Sequence, residues 1–268
     1  MTDFTQDSQS PETQSTGRLA VDIRRNLEQV EAQIAAACRA ANRSRESVEL
    51  MAVSKTHPAA ALTEALELGL HLFGENKVQE FAAKSAELSV PDAESSGQTI
   101  RSRMRAHLIG HLQSNKAAKA VEVFDGIDTL DSLKLAERLD NAIEASALWA
   151  GKRLPVLLEI KLSEEESKAG LVPDSRELAE LLERLPSLTH LEAQGLMTIA
   201  PFNVPEAETR ACFRALRQLQ EKLASEYPRL HLPVLSMGMS GDFALAIAEG
   251  STRIRIGTAI FGAREYPQ

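Results

Sequence analysis

Along the chain, the spacing of apolar residues switches repeatedly between the period of a helix and the short continuous runs of buried strands. Ile23, Leu27, Val30, Ile34 and Cys38 recur at helical spacing and predict an amphipathic helix ahead of the first strand. The run Val48–Val53 is brief and almost wholly apolar, and Pro58–Leu70 then restores helical spacing around Leu62 and Leu66. This strand-then-helix unit repeats: His71–Phe73 precedes Lys77–Leu88, Ala106–Ile109 precedes Ser114–Val123, and Phe124–Thr129 precedes Ser132–Leu148. In the second half, Pro155–Ile160 precedes a helix from near Asp174, whose side chain and Glu177 three residues later have the form of a capping box. His190–Leu196 precedes a helix with Cys212, Phe213, Leu216, Leu219 and Leu223 on one face, Leu232–Leu235 precedes Ser240–Glu249, and Arg253–Ile256 closes the series. Eight strands alternating with helices predict an α/β fold, a single (β/α)8 TIM-type barrel with an extra N-terminal helix. A doubly wound open sheet shares the alternation, and periodicity does not decide closure.

The pattern breaks at two places. Residues 1–18 are rich in Ser, Thr and Gln and lack the apolar stretch of a signal peptide or membrane span, so they read as a disordered tail before a barrel over residues 19–268. Pro91–Ser102 (PDAESSGQTIRS) reads as a surface loop. Composition narrows the function classes. With 30 Lys plus Arg against 38 Asp plus Glu, the net charge of −8 opposes general binding to nucleic acid or to an anionic membrane. The two cysteines, Cys38 and Cys212, fall in helices with neither metal-ligand spacing nor a redox motif, which points to a reduced, cytoplasmic setting and to no metal site.

Candidate chemistry sits where the strands run out, because a parallel barrel carries its working groups at the C-terminal ends of its strands. Lys55 directly follows the first apolar run, where a lysine either reaches solvent or occupies a pocket whose desolvation lowers its pKa and makes it nucleophilic towards aldehydes. After the seventh strand, Ser236-Met-Gly-Met-Ser240-Gly241-Asp242 opens a helix, with Ser240 as its expected cap and backbone N–H groups facing outward. Gly257-Thr258 adds a second donor-rich turn after the eighth strand, and such turns commonly hold phosphate in barrels. An amine and two phosphate turns together fit an aldehyde-bearing phosphate, for which pyridoxal 5′-phosphate is the natural candidate. Arg255 either meets the pyridine nitrogen of such a cofactor or makes an ion pair at the core edge.

Seven ordered segments carry a resemblance. AVSKTHP (52–58), FGENKVQE (73–80), HLIGHLQSNK (107–116), SKAGL (167–171), GLMTIAP (195–201), LSMGMSGDF (235–243) and EGSTRIRIGTAIFGAREY (249–266) closely resemble the pyridoxal phosphate homeostasis protein family, from about Ile23 to the C-terminus. The resemblance implies a barrel similar to the N-terminal domain of alanine racemase, with pyridoxal phosphate held on Lys55 as an internal aldimine. It also implies Asn76 near the cofactor, Ser236 and Ser240 with Gly257 and Thr258 on its phosphate, Arg255 at the ring nitrogen, and Met237 and Met239 at the pocket wall. The implied role is storage and delivery of the cofactor, with apo-enzymes as partners, no catalytic residues of its own and a monomer or weak dimer as the state. At Lys77, Ala106, Lys161 and His111 the chain departs from the family's commoner residues. A pyridoxal-phosphate-dependent racemase on the same barrel is the alternative. Racemisation needs a second acid/base opposite the lysine, supplied in alanine racemase by a tyrosine, and this chain has only Tyr227 and Tyr266.

Overall fold

The computed structural model describes residues 21–91, 98–163 and 169–263. The eight strands expected from the apolar runs all form: β1 (Glu49–Val53), β2 (Leu72–Glu75), β3 (Arg105–Leu108), β4 (Gly126–Leu130), β5 (Leu154–Glu159), β6 (Leu191–Met197), β7 (Val234–Ser236) and β8 (Arg253–Ile256). Each pairs in parallel with its neighbour in sequence, and β1 pairs with β8 through Glu49↔Arg253 to Ala52↔Ile256. The sheet is therefore a closed barrel, which decides between the two architectures that periodicity left open. Around it lie α1 (Ile23–Ala40), α2 (Ala59–Glu67), α3 (Val78–Leu88), α4 (Ala117–Val123), α5 (Leu133–Glu144), α6 (Arg176–Arg184), α7 (Glu206–Glu226), α8 (Phe243–Ala248) and α9 (Thr258–Phe261). None of the helices among the described residues is long and apolar enough to cross a membrane.

The expected N-terminal helix buries Ile23, Leu27, Val30, Ile34 and Cys38, the stripe that predicted it. It packs against the short helices α8 and α9, with Asn26 donating to the Ile260 carbonyl and Arg43 to the Ile247 carbonyl, both at 2.9 Å. Neither short helix spans more than two turns, so α1 supplies the apolar cover that they cannot provide for that side of the barrel. Elsewhere α3 and α4 bury the strands, and Phe81 stacks on Phe124 with ring centroids 4.9 Å apart.

Helix boundaries differ from the sequence reading in several places. Ser175, not Asp174, caps α6 by accepting from the Leu178 N–H at 3.2 Å. Asp174 adopts φ 59° and its carboxylate pairs with Lys222 on α7, so tertiary contact withdraws it from the cap. The segment Ser132–Leu148 ends its α-helix at Glu144 and continues as a 3₁₀ turn at Ala147–Trp149, where Trp149 donates to the Val121 carbonyl at 2.7 Å. Ser240 does not cap α8, which starts at Phe243; the Asp242 carboxylate instead accepts from the Met239 N–H at 2.6 Å and folds the preceding turn. The expected tail at residues 1–18 lies outside the described residues, as does the middle of the Pro91–Ser102 loop, whose end forms a 3₁₀ turn at Arg101–Arg103.

The barrel interior carries charge. Arg253 pairs with Glu49 at 2.9 Å and with Asp128 at 3.3 Å, and Asp128 meets His107 at 2.8 Å. Burial works to raise the Asp128 pKa, but His107 and then Arg253 outweigh it and hold the carboxyl below its ordinary value. Charges as buried as those of Arg253 and Asp128 persist only when paired.

Candidate functional site

Lys55 lies two residues past β1, on a loop held by a buried charge cluster. Lys84, on α3, donates to the Ser54 carbonyl at 3.0 Å and to Glu75 at 2.8 Å, and it pairs with Glu80 at 2.9 Å. Ser54 Oγ also donates to Glu75 at 2.8 Å, and Glu80 accepts from the Thr56 N–H at 2.6 Å. Both chain neighbours of Lys55 are thus tied to one triad of charges. Thr56 adopts φ 69°, an uncommon conformation for a β-branched residue, and the hydrogen bond to Glu80 helps to hold it there. Burial pushes the Glu75 carboxyl up in pKa against the opposing pull of Lys84. For Glu80 burial acts in the same sense, but Lys84 and the Thr56 N–H prevail and lower it.

At the C-terminal mouth of the barrel a cavity of about 360 Å³ gathers residues from the ends of six strands, β1, β2, β3, β6, β7 and β8. Lys55, Asn76, Ser240, Arg255, Gly257 and Thr258 all line it, so six of the eight expected cofactor-binding residues converge. Asn76 is set by a close backbone approach: a Cβ at Gly110 would fall 2.3 Å from the Asn76 carbonyl oxygen, so only glycine lets the turn after β3 pass there. Gly238, at φ 96° and with room for no Cβ beside Ala246, folds the chain back between β7 and α8 so that Ser240 and Gly241 reach the cavity.

The other two expected residues, Ser236 and Met237, do not line the cavity. Ser236 is completely buried on β7 and accepts from Arg255 Nη1 at 2.8 Å. Met237 is equally buried and packs in the hydrophobic core, whereas Met239 is the methionine at the cavity wall. Arg255 also donates from Nη2 to the Thr198 carbonyl at 2.8 Å, so β7 and the end of β6 fix its guanidinium from two sides. Burial lowers the Arg255 pKa, opposed by the charges of Asp128 and Asp242.

Sequence reasoning missed several lining residues. His57 reaches the cavity and packs against Phe261 with ring centroids 5.1 Å apart; its place two residues after Lys55 was the available signal. Ile109, Ile199 and Phe202 supply an apolar wall and rim, and Phe202 is 80% exposed. A second cavity of about 290 Å³ adjoins the first and shares Asn76, Ile109 and Ile199 with it. Glu159, at the end of β5, lines this annex, as do His111 and Lys161, two of the positions where the chain departs from the resembling family. Of the other two, Lys77 precedes α3 and Ala106 is buried in β3. Tyr227 lies at the C-terminal end of α7 and is not among the cavity-lining residues, while Tyr266 is outside the described residues. A larger cavity of about 500 Å³ opens near the start of β6, lined by Arg153, Glu192 and Arg229 among others, away from the strand ends where Lys55 and Arg255 meet.

The residues of the mouth fit pyridoxal phosphate in kind. One amine faces the space, Ser240 and Thr258 offer hydroxyls beside Gly241 and Gly257 for a phosphate, and a buried arginine stands at the wall. Helices α8 and α9 are too short for a strong macrodipole, so local donors carry any anion contact.

A parallel barrel with a lysine after its first strand and donor turns after its last two defines a class, and the model of the family described as alanine racemase, N-terminal domain, matches residues 26–265. Within that class the chain belongs to the pyridoxal phosphate homeostasis protein family. It is 44% identical to the pyridoxal phosphate homeostasis protein of Vibrio cholerae over 246 residues, covering 91% of this chain and 97% of that one. Its identity to the Escherichia coli K12 protein of the same name is 42% over 251 residues, with coverage of 91% and 98%. Among solved structures, PipY of Synechococcus elongatus with PLP bound superposes with a TM-score of 0.73 at 41% identity, covering 90% of this chain and all of that chain. Alanine racemase of Clostridium difficile shares the fold alone, with a TM-score of 0.62 at 13% identity over 92% of this chain and 57% of that one.

Proposed function

We propose that this protein binds pyridoxal 5′-phosphate at the C-terminal mouth of the barrel and serves its homeostasis by storing and delivering it. The observation that carries the reading is the convergence of Lys55, Arg255 and two donor-rich turns on one cavity. When bound, the cofactor supplies an aldehyde and an electron-withdrawing ring; the protein supplies position and electrostatics. Lys55 provides the amine for covalent capture, and the Lys84 cluster keeps its loop in place. Ser240, Gly241, Gly257 and Thr258 hold the phosphate, Asn76 borders the ring, and Arg255 faces the ring nitrogen. Ser236 acts through Arg255, whose guanidinium it orients. The apolar rim of Ile199, Phe202 and Met239 limits water at the mouth. Apo-enzymes that need the cofactor are the partners in this reading, and a reduced cytoplasmic setting suits two buried thiols, Cys38 and Cys212.

A Lys55→Ala variant tests the division of labour. Its expected outcome is loss of the absorption band of lysine-bound cofactor, with weak binding retained through the phosphate turns and Arg255. An unchanged band in that variant assigns covalent capture to another lysine and contradicts the reading.

A further inference from the structure

The annex beside the cofactor cavity contains two buried polar atoms that the protein leaves without partners. Glu159 is only 8% exposed, yet among the described residues its Oε2 has no hydrogen-bond partner, and Ser163 Oγ has none either. Both residues line the same cavity of about 290 Å³. An unsatisfied buried carboxylate is costly enough that native interiors rarely keep one without a reason. Two groups that could have met it bind elsewhere: Arg255 donates to Ser236 and the Thr198 carbonyl, and His111 meets Asp131 at 3.0 Å.

We propose that the annex binds a small primary amine that also carries a carboxylate, of the α-amino-acid class, with its ammonium on Glu159 and Ser163 and its carboxylate towards Lys161. The charges set this polarity. Glu159 gives the annex its acidic group, and Lys161, at the turn after β5, gives its wall a positive one. Burial pushes the Glu159 pKa up to about 7; Asp131 raises it further, while His111 and Arg255 draw it down. A ligand cation would offset this desolvation by its charge and favour the carboxylate. A metal ion is a poorer match, because no group of three His, Cys, Asp or Glu able to hold one occurs among the described residues. At roughly 30 Å³ for each water-sized group, the annex takes on the order of ten non-hydrogen atoms, the scale of a small amino acid.

Binding in the annex needs no cofactor, so this inference and the cofactor reading fail separately. The full chain is first treated with borohydride, which fixes any cofactor already joined to a lysine and prevents an aldehyde from reacting with the probe. Carbon-13-labelled L-alanine is then titrated and followed by saturation-transfer NMR, and pyridoxyl incorporation is read independently by mass. We expect saturable binding of L-alanine that weakens about tenfold or more in Glu159→Gln, the loss of one charge-assisted contact, with pyridoxyl incorporation unchanged. Lys161→Met is expected to weaken L-alanine while leaving ethylamine, which lacks the carboxylate, unaffected. Absence of saturable binding to the wild-type chain would show that water alone fills the annex and would overturn the proposal. Equal affinity for L-alanine in either variant would overturn it as well.

Discussion

Arg253 and Arg255 stand two positions apart on β8 and are both buried, yet their partners give them different work. Arg253 neutralises Glu49 and Asp128 below the site, whereas Arg255 lines the cofactor cavity and bonds neutral oxygens of Ser236 and Thr198. Replacing Arg253 with Met leaves Asp128 without its arginine partner and is expected to cost about 3 kcal/mol of stability in denaturant unfolding. Replacing Arg255 with Met is expected to damage cofactor retention more than Arg253→Met does, measured by titration where both variants are folded. The reverse order in cofactor titration contradicts the assigned depths. Glu159 makes a second residue-scale prediction. Its pKa is about 7 in the folded chain against an ordinary 4.5, so the folded state binds the proton more tightly. That contribution favours folding below the unfolded pKa and is lost as pH rises through the window between 4.5 and about 7. Glu159→Gln cannot ionise, so relative to wild type it should gain up to about 3 kcal/mol between about pH 5 and about pH 8. A stability difference that is flat with pH contradicts the burial of an unpaired Glu159.

The elements themselves were legible because each apolar run is bounded by a change of period, and all eight strands and the amphipathic α1 follow from it. What periodicity did not carry was tertiary competition for polar groups. Asp174 has the right spacing from Glu177 for a capping box, but Lys222, far away in sequence, claims its carboxylate. Lys84 was overlooked although it lies three residues after Phe81 and four before Leu88, on the buried face of α3. A lysine in that stripe signals a buried partner, and the partner cluster ties α3 to β2 and to the loop after β1. Lys84→Met therefore acts on three elements. We expect it to lower stability by roughly 3 kcal/mol, since Glu75 and Glu80 lose their shared cation, and to speed hydrogen exchange at the Thr56 amide. Unchanged protection at Thr56 would mean that the Lys55 loop holds its shape without the cluster.

At the scale of the whole molecule, barrel closure brings the ends of β1 and β8 side by side. Lys55 and Thr258 are some 200 residues apart in sequence and line one cavity because Ala52 pairs with Ile256. The candidate site was legible to the extent that small and polar residues cluster at strand exits; six of eight expected residues meet there, while Ser236 and Met237 are buried at the end of β7. The annex was not legible, because Glu159 ends an otherwise apolar strand and only the folded barrel shows that its Oε2 has no partner among the described residues. The shape of the mouth thus joins one amine, one buried arginine and two donor turns, and covalent capture at Lys55 is the claim on which the functional account depends. Its most direct test is borohydride reduction of the full chain after incubation with pyridoxal 5′-phosphate, followed by peptide mapping. The account predicts one reduced pyridoxyl group, on the peptide that contains Lys55; a pyridoxyl group on a different lysine, or none, would contradict it.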